Sequence, residues 1–167
     1  MIQPMPSRSI PAPGQRLRAL WRRLAPLPGG RRLFGFLLGR IVPYSATLGA
    51  RVEVLEPGHC RVALRDRRAV RNHLDSVHAM ALANLAELAS GLAVVVGLPA
   101  GVRGIVTAFS ISFVKKARGR LTAECRVLGL DAVVSEQERE AAVTISDAGG
   151  DVVARATARW RLRPAGV

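Results

Sequence analysis

The chain has 167 residues, 49% of them apolar, with 25 basic against 12 acidic side chains and a net charge of +13. That length suits one domain with a real core, and the charge points toward polyanions: nucleic acid, anionic lipid or a phosphate-bearing ligand. Aromatic content of 4% is poor for stacking on bases, so nucleic acid is not expected as a partner. Three histidines and two cysteines, Cys60 and Cys125, show no ligand spacing, so no metal site is expected and both cysteines read as small buried side chains.

Residues 1–14, rich in Pro and Ser, are expected to be disordered. They lack the apolar core of a signal peptide, and a cytoplasmic location is expected. Residues 15–45 read as a basic helical arm. In its first helix, residues 15–25, Leu17, Leu20, Trp21 and Leu24 share one face, and Pro26, Pro28, Gly29 and Gly30 end it. A second helix runs from about Arg32 to Val42 and stops at Pro43. No acidic residue occurs before Glu53. Trp21, Phe34 and Phe36 would let residues 15–42 rest on a membrane surface. The arm is short and twice broken, so packing on the main domain or a second subunit is expected instead.

Residues 46–167 form the main domain. Ala50, Val52 and Val54 alternate with charged residues, as do Cys60, Val62 and Leu64 with their neighbours; Pro57-Gly58 between them is turn chemistry. A loop over 65–75 leads into a helix of about Ser76 to Val96, capped by Asp75 or Ser76. Strands follow over 104–114, 121–127, 140–145 and 154–163, with Ala148-Gly149-Gly150-Asp151 as a hairpin turn. Consecutive strands on tight turns pair antiparallel. The expected architecture is therefore α+β: one long buried helix wrapped by a curved antiparallel sheet of about six strands, with short helices before it.

The helix holds the chemistry. Residues 79–96 are apolar around nearly the whole circumference, interrupted by Asn84, Glu87 and Ser90, and no apolar run is long enough to span a bilayer without such breakers. A helix apolar all round is buried. A carboxylate there is costly unless paired, hydrogen-bonded or protonated, and burial pushes its pKa toward the range useful for a base or nucleophile. Glu87 is therefore the candidate catalytic group; the alternative is a structural carboxylate bonded to the backbone or lying at a helix edge.

The helix entrance reads Asn72-His73-Leu74-Asp75-Ser76-Val77-His78-Ala79, with Leu85-Ala86-Glu87 placing the acid nine residues after His78. This resembles the hotdog-fold thioesterases of the phenylacetate-pathway, or 4-hydroxybenzoyl-CoA thioesterase-like, type, whose pattern is an Asn, His-Gly-Gly, and a carboxylate nine residues after the His. The segment 112–123, with Lys115-Lys116-Ala117-Arg118-Gly119 and Leu121-Thr122-Ala123, is similar to that family's strand-turn-strand. The resemblance covers about Val52 to Leu162, and more narrowly points to a poorly characterised bacterial branch.

The resemblance implies a homodimeric acyl-CoA hydrolase with two composite sites at the dimer interface; whether two dimers associate is left open. Glu87 would be nucleophile or activator of water, Asn72 would orient water or acyl group, His78 would place the carbonyl, and the Ala79 amide would hold the oxyanion. No cofactor is implied beyond coenzyme A as part of the substrate, and Lys115, Lys116, Arg118 and Arg120 would take its phosphates. Helix geometry agrees with a shared site, because nine residues turn about 900° and rise about 13 Å, which puts His78 and Glu87 on opposite sides of one helix.

The chain departs from the family pattern at both glycines, replaced by Ala79 and Met80. Some family members place a Ser or Thr on the following strand; a gapless count falls on Val106, and Thr107 qualifies only with a bulge. Two other functions fit the same residues. One is a non-catalytic module of the same fold that holds acyl-CoA or a fatty acid. The other is a basic protein that binds membrane surfaces or nucleic acid.

Overall fold

A computed structural model describes residues 13–164. The N-terminal arm contains α1 (Pro13–Leu24), α2 (Gly30–Ile41) and a single turn, α3 (Pro43–Ala46). Most of the segment expected to be disordered lies outside the described residues, but Pro13 and Gly14 are helical. Gly14 packs so closely on α4 that a β-carbon would lie 1.9 Å from the Val95 carbonyl oxygen, so only glycine fits there. The arm packs on the domain as expected: Trp21, Phe34 and Leu38 are buried, and Trp21 meets Phe34 edge-on with ring centroids 5.0 Å apart.

β1 (Arg51–Glu56) and β2 (His59–Leu64) form a hairpin, followed by a 3₁₀ turn at Arg68–Val70 and the long α4 (Ala79–Gly97). Then come β3 (Val102–Phe113), β4 (Leu121–Arg126), β5 (Gln137–Ser146) and β6 (Val152–Pro164). All strand pairs are antiparallel in one curved sheet of order β1-β2-β4-β5-β6-β3. The pairs β1/β2, β4/β5 and β5/β6 are the expected ones, although residues 127–136 join β4 to β5 by a loop rather than a tight turn. β3 does not pair with β4; it crosses to the far edge and pairs with β6. The segment that permits this, residues 114–120, is tied to the helix entrance rather than closed as a hairpin.

α4 lies against all six strands. By length and composition alone it would also suit a membrane span, but here it forms the centre of the core. Leu82, Leu85, Ala86, Ala89, Leu92, Ala93, Val94 and Val96 are buried in it. Each fully buried Leu or Val contributes roughly 1.5–3 kcal/mol. Cys60 and Cys125 sit opposite each other on β2 and β4, both free and buried, and burial pushes both thiols up, Cys125 to about 12.

Candidate active site

The helix begins later than its sequence suggests. Neither Asp75 nor Ser76 is the cap; His78 is, with extended backbone (φ −62°, ψ 142°). The reason lies in the bonds made just before it. Val77 N–H donates to Ala117 O (2.8 Å), His78 N–H donates to Val70 O (2.8 Å), and Arg71 bridges Val77. These hold Val77 and His78 out of the helix. His78 Nδ1 accepts from Met80 N–H at 3.0 Å, which requires the neutral imidazole with its proton on Nε2.

A helix start leaves four N–H groups without helical partners. Met80 N–H goes to the His78 ring, and Ala81 and Leu82 N–H both go to His78 O. The Ala79 N–H has no acceptor among the described residues. It is therefore an open donor at the positive end of the helix dipole.

Asn72 organises the loop ahead of this amide. Its Oδ1 accepts from Leu74 N–H (2.9 Å), Ser76 N–H (3.3 Å) and Ser76 Oγ (3.2 Å). Its Nδ2 has no partner among the described residues. Asp66 reinforces the loop by accepting from Arg71 Nε (2.7 Å) and from Gly119 N–H (2.9 Å). The Arg71 hydrogen bond holds the Asp66 carboxyl below its usual range against the opposing effect of burial. That contribution to stability is present above the ordinary carboxylate range and is lost as pH falls through the depressed value. Asp66→Asn is expected to cost about 1 kcal/mol at neutral pH, since Arg71 is partly open to water. It is also expected to raise amide exchange over 70–78, with the stability difference from wild type vanishing in strong acid.

Glu87 sits on another side of α4. It is half-buried and makes no hydrogen bond or ion pair among the described residues. Burial pushes its carboxyl above the usual range. Of the two structural alternatives, a carboxylate bonded to the backbone has no counterpart in its contacts among the described residues, whereas its half-exposed place on α4 fits a helix edge. Gly91, one turn on, keeps space open beside it: a β-carbon there would lie 3.6 Å from the Trp160 ring and 3.8 Å from Glu87 Oε1. Trp160 Nε1 is itself buried without a partner among the described residues.

Asn72, His78 and Ala79 thus gather at the helix entrance, while Glu87 stands apart. His78 lines a cleft of about 260 Å³ with Tyr44, Thr47, Val70, Met80 and Asn84; Glu87 does not line it. Asn84 is the residue that sequence reasoning missed. It is buried, and its Oδ1 has no hydrogen-bond partner among the described residues. The signal was its place as a polar interruption of an apolar helix. Ser90, another such interruption, is satisfied by Glu87 O at 2.9 Å, and the sequence does not separate the two cases.

The basic turn is dispersed. Lys115 bridges Asp147 (2.8 Å) and Asp151 (2.6 Å). Arg118 donates to Asp75 O (2.9 Å) and Leu74 O (3.3 Å), and Arg120 pairs with Glu53. Lys116 has no partner among the described residues. On β3 the conditional bulge does form, between Val106 and Ala108. Thr107 nevertheless stays exposed with Ala108, and its hydroxyl donates to Arg159 O at 3.3 Å. Among the described residues no cluster of three or more His, Cys, Asp or Glu could hold a metal ion.

The model of the domain of unknown function DUF4442 matches residues 30–162. The chain belongs to the DUF4442 family. The match begins at Gly30, so α2 falls inside the family region, ahead of the boundary drawn at 46 from sequence. Among solved structures, this DUF4442 protein is similar to the structural-genomics protein APC5556, with 26% identity and a TM-score of 0.78 over 91% of this chain and 99% of that one. It is also similar to PA5026 of Pseudomonas aeruginosa, described as a protein of unknown function and probable thioesterase: 28% identity, TM-score 0.71, covering 83% of this chain and 97% of that one. A thioesterase family protein of Silicibacter pomeroyi, at 20% identity and a TM-score of 0.66 over 90% and 97% of the two chains, shares the fold. The fold is that of the hotdog thioesterases. No curated protein matches the sequence.

Proposed function

We propose that the protein is an acyl-thioester hydrolase, acting on acyl-CoA at sites shared between the two subunits of a homodimer. The observation that carries this reading is Glu87: a carboxyl inside the core helix, raised by burial and without a partner among the described residues. Such a group is expensive to keep unless it acts. Two of the solved relatives, described as a probable thioesterase and a thioesterase family protein, support the same class.

The dimer is proposed from the sheet edge and the helix face. β3 is a 12-residue edge strand, and a long open edge is a template for pairing with another chain. Met80, Ala83, Glu87 and Gly91 recur at helical spacing on α4 and are among the positions its packing leaves open. A twofold axis at the β3 edge, perpendicular to the strand, would set one subunit's helix entrance against the partner subunit's carboxylate.

In this site the Ala79 N–H polarises the thioester carbonyl, aided by the outward Nε2–H of His78, and Asn72 Nδ2 orients the water. Glu87 takes a proton from that water as its oxygen attacks the carbonyl carbon. The oxyanion forms against the Ala79 amide. On collapse the C–S bond breaks, and the proton on Glu87 passes to the departing thiolate, leaving a carboxylic acid and free coenzyme A. Direct attack by Glu87, with water cleaving the resulting anhydride, uses the same groups. Lys116, with Lys115, Arg118 and Arg120, would meet the coenzyme phosphates.

The replacement of both family glycines by Ala79 and Met80 favours one other reading, a module that holds acyl-CoA or a fatty acid without turnover. A panel of acyl-CoA esters with free-thiol detection separates the two. Release of thiol well above the blank supports the hydrolase. No release, with acyl-CoA raising the melting temperature, supports the module.

A further inference from the structure

Nine of the 25 basic residues and none of the 12 acidic ones precede Glu53, so this segment alone supplies nine of the thirteen net charges. Elsewhere seven of the fourteen arginines pair with a carboxylate among the described residues. On β5 and β6, Arg159 meets Glu138 and Glu140, and Arg161 meets Glu136 and Glu138. In the arm, Arg16, Arg18, Arg22, Arg23, Arg32 and Arg40 have no acidic partner among the described residues.

The same arm shows apolar surface. One face of α2 is spent on the core through Phe34 and Leu38. Its outward side carries Leu33 and Phe36 (61% exposed), Ile41 (66% exposed) stands free of the core at its C-terminal end, and Tyr44 of α3 is exposed as well. Beside it, between α2 and the β1–β2 hairpin, lies a groove of about 870 Å³. Its rim carries Arg31, Arg32, Arg40, Arg51, Arg65 and Arg120. The one acidic side chain among the described residues that line it, Glu53, is already paired with Arg120. Apolar side chains flanked by arginines on one surface helix are what an interfacial helix requires.

We propose that this face docks on a bilayer surface rich in anionic phospholipid. Headgroup phosphates sit among the groove arginines, and Phe36 and Ile41 enter the acyl boundary. Nucleic acid would satisfy the arginines but leave the exposed Leu33, Phe36 and Ile41 in water. A second copy on this face would bring two strongly positive surfaces together. α2 packs at the β1 end of the sheet and β3 forms the opposite edge, so docking leaves β3 free. The inference does not rest on the hydrolase reading.

Co-sedimentation of the full chain with phosphatidylglycerol/phosphatidylcholine vesicles, against phosphatidylcholine alone, tests it. Binding is expected to the anionic vesicles only and to weaken with salt. Two double variants of exposed residues, Phe36→Ser with Ile41→Ser and Arg32→Glu with Arg40→Glu, are each expected to weaken it by about tenfold or more with unchanged melting temperatures. Absence of binding to anionic vesicles overturns the proposal. Equal vesicle affinity of the Phe36/Ile41 variant also overturns it, and if RNA then displaces the vesicles, the face is a general polyanion site. A change of mass in solution for that variant, at wild-type vesicle affinity, overturns it in favour of a contact between copies.

Discussion

Ala79→Pro is expected to lower the rate of thioester cleavage about 100- to 1000-fold, the usual cost of one oxyanion donor, while the melting temperature stays close to wild type. Proline is at home at the first position of a helix, where its missing N–H would have no helical partner. The residue before a proline prefers extended backbone, and His78 already has φ −62° and ψ 142°. The substitution therefore replaces the donor N–H of the proposed site by the ring Cδ and leaves the backbone conformation in place. The loss belongs in kcat rather than KM, because the donor acts mainly on charge that develops in the transition state. Unchanged kcat in a correctly folded Ala79→Pro protein would remove the amide from the mechanism.

Glu87→Gln is expected to reduce turnover by about 100-fold or more and to make the protein more stable at neutral pH. A carboxyl whose pKa is raised in the folded state favours folding when protonated. Its stability advantage is lost as pH rises from the ordinary carboxylate range through the raised value. Glutamine cannot ionise, so the variant should melt above wild type at pH 7.5 and show no such gain near pH 3. Mixing it with Ala79→Pro under conditions that exchange subunits then tests the shared site. Half of the dimers would be mixed, each with one intact helix entrance facing one intact Glu87, and activity should return to about a quarter of wild type. No recovery after confirmed exchange would place the whole site within one chain.

Much of the fold was legible because it rests on two periodicities. Alternation over Val52–Val54, Cys60–Leu64 and Ala154–Leu162 gave strands that the structure contains, and the run 79–96 gave the core helix. Helix onset was misplaced because Asp75 and Ser76 carry ordinary capping side chains, whereas the winning contacts are long-range, from Val77 to Ala117 and from His78 to Val70. The β3–β6 pairing was not legible for the same reason: a twelve-residue strand does not announce its partner. Of the site, the raised carboxyl of Glu87 followed from its setting, and the separation of Glu87 from His78 followed from the nine-residue spacing. The roles of Arg118 and Lys115 did not, since a cluster of charges in sequence carries no sign that its members are engaged with Leu74, Asp75, Asp147 and Asp151. Asn84 was hidden because a buried amide is ordinarily satisfied.

The segment 114–120 leaves the end of β3 and immediately grips the helix entrance, through Ala117 O on Val77, Arg118 on Leu74 and Asp75, and Gly119 on Asp66. A strand at the rim of the sheet and the amide at the tip of the core helix are thereby spliced into one mechanical unit. In the proposed assembly, a neighbour that stiffens the rim also steadies the amide, so dilution to single chains would blunt the site twice: by withdrawing the second carboxylate and by letting its own donor drift.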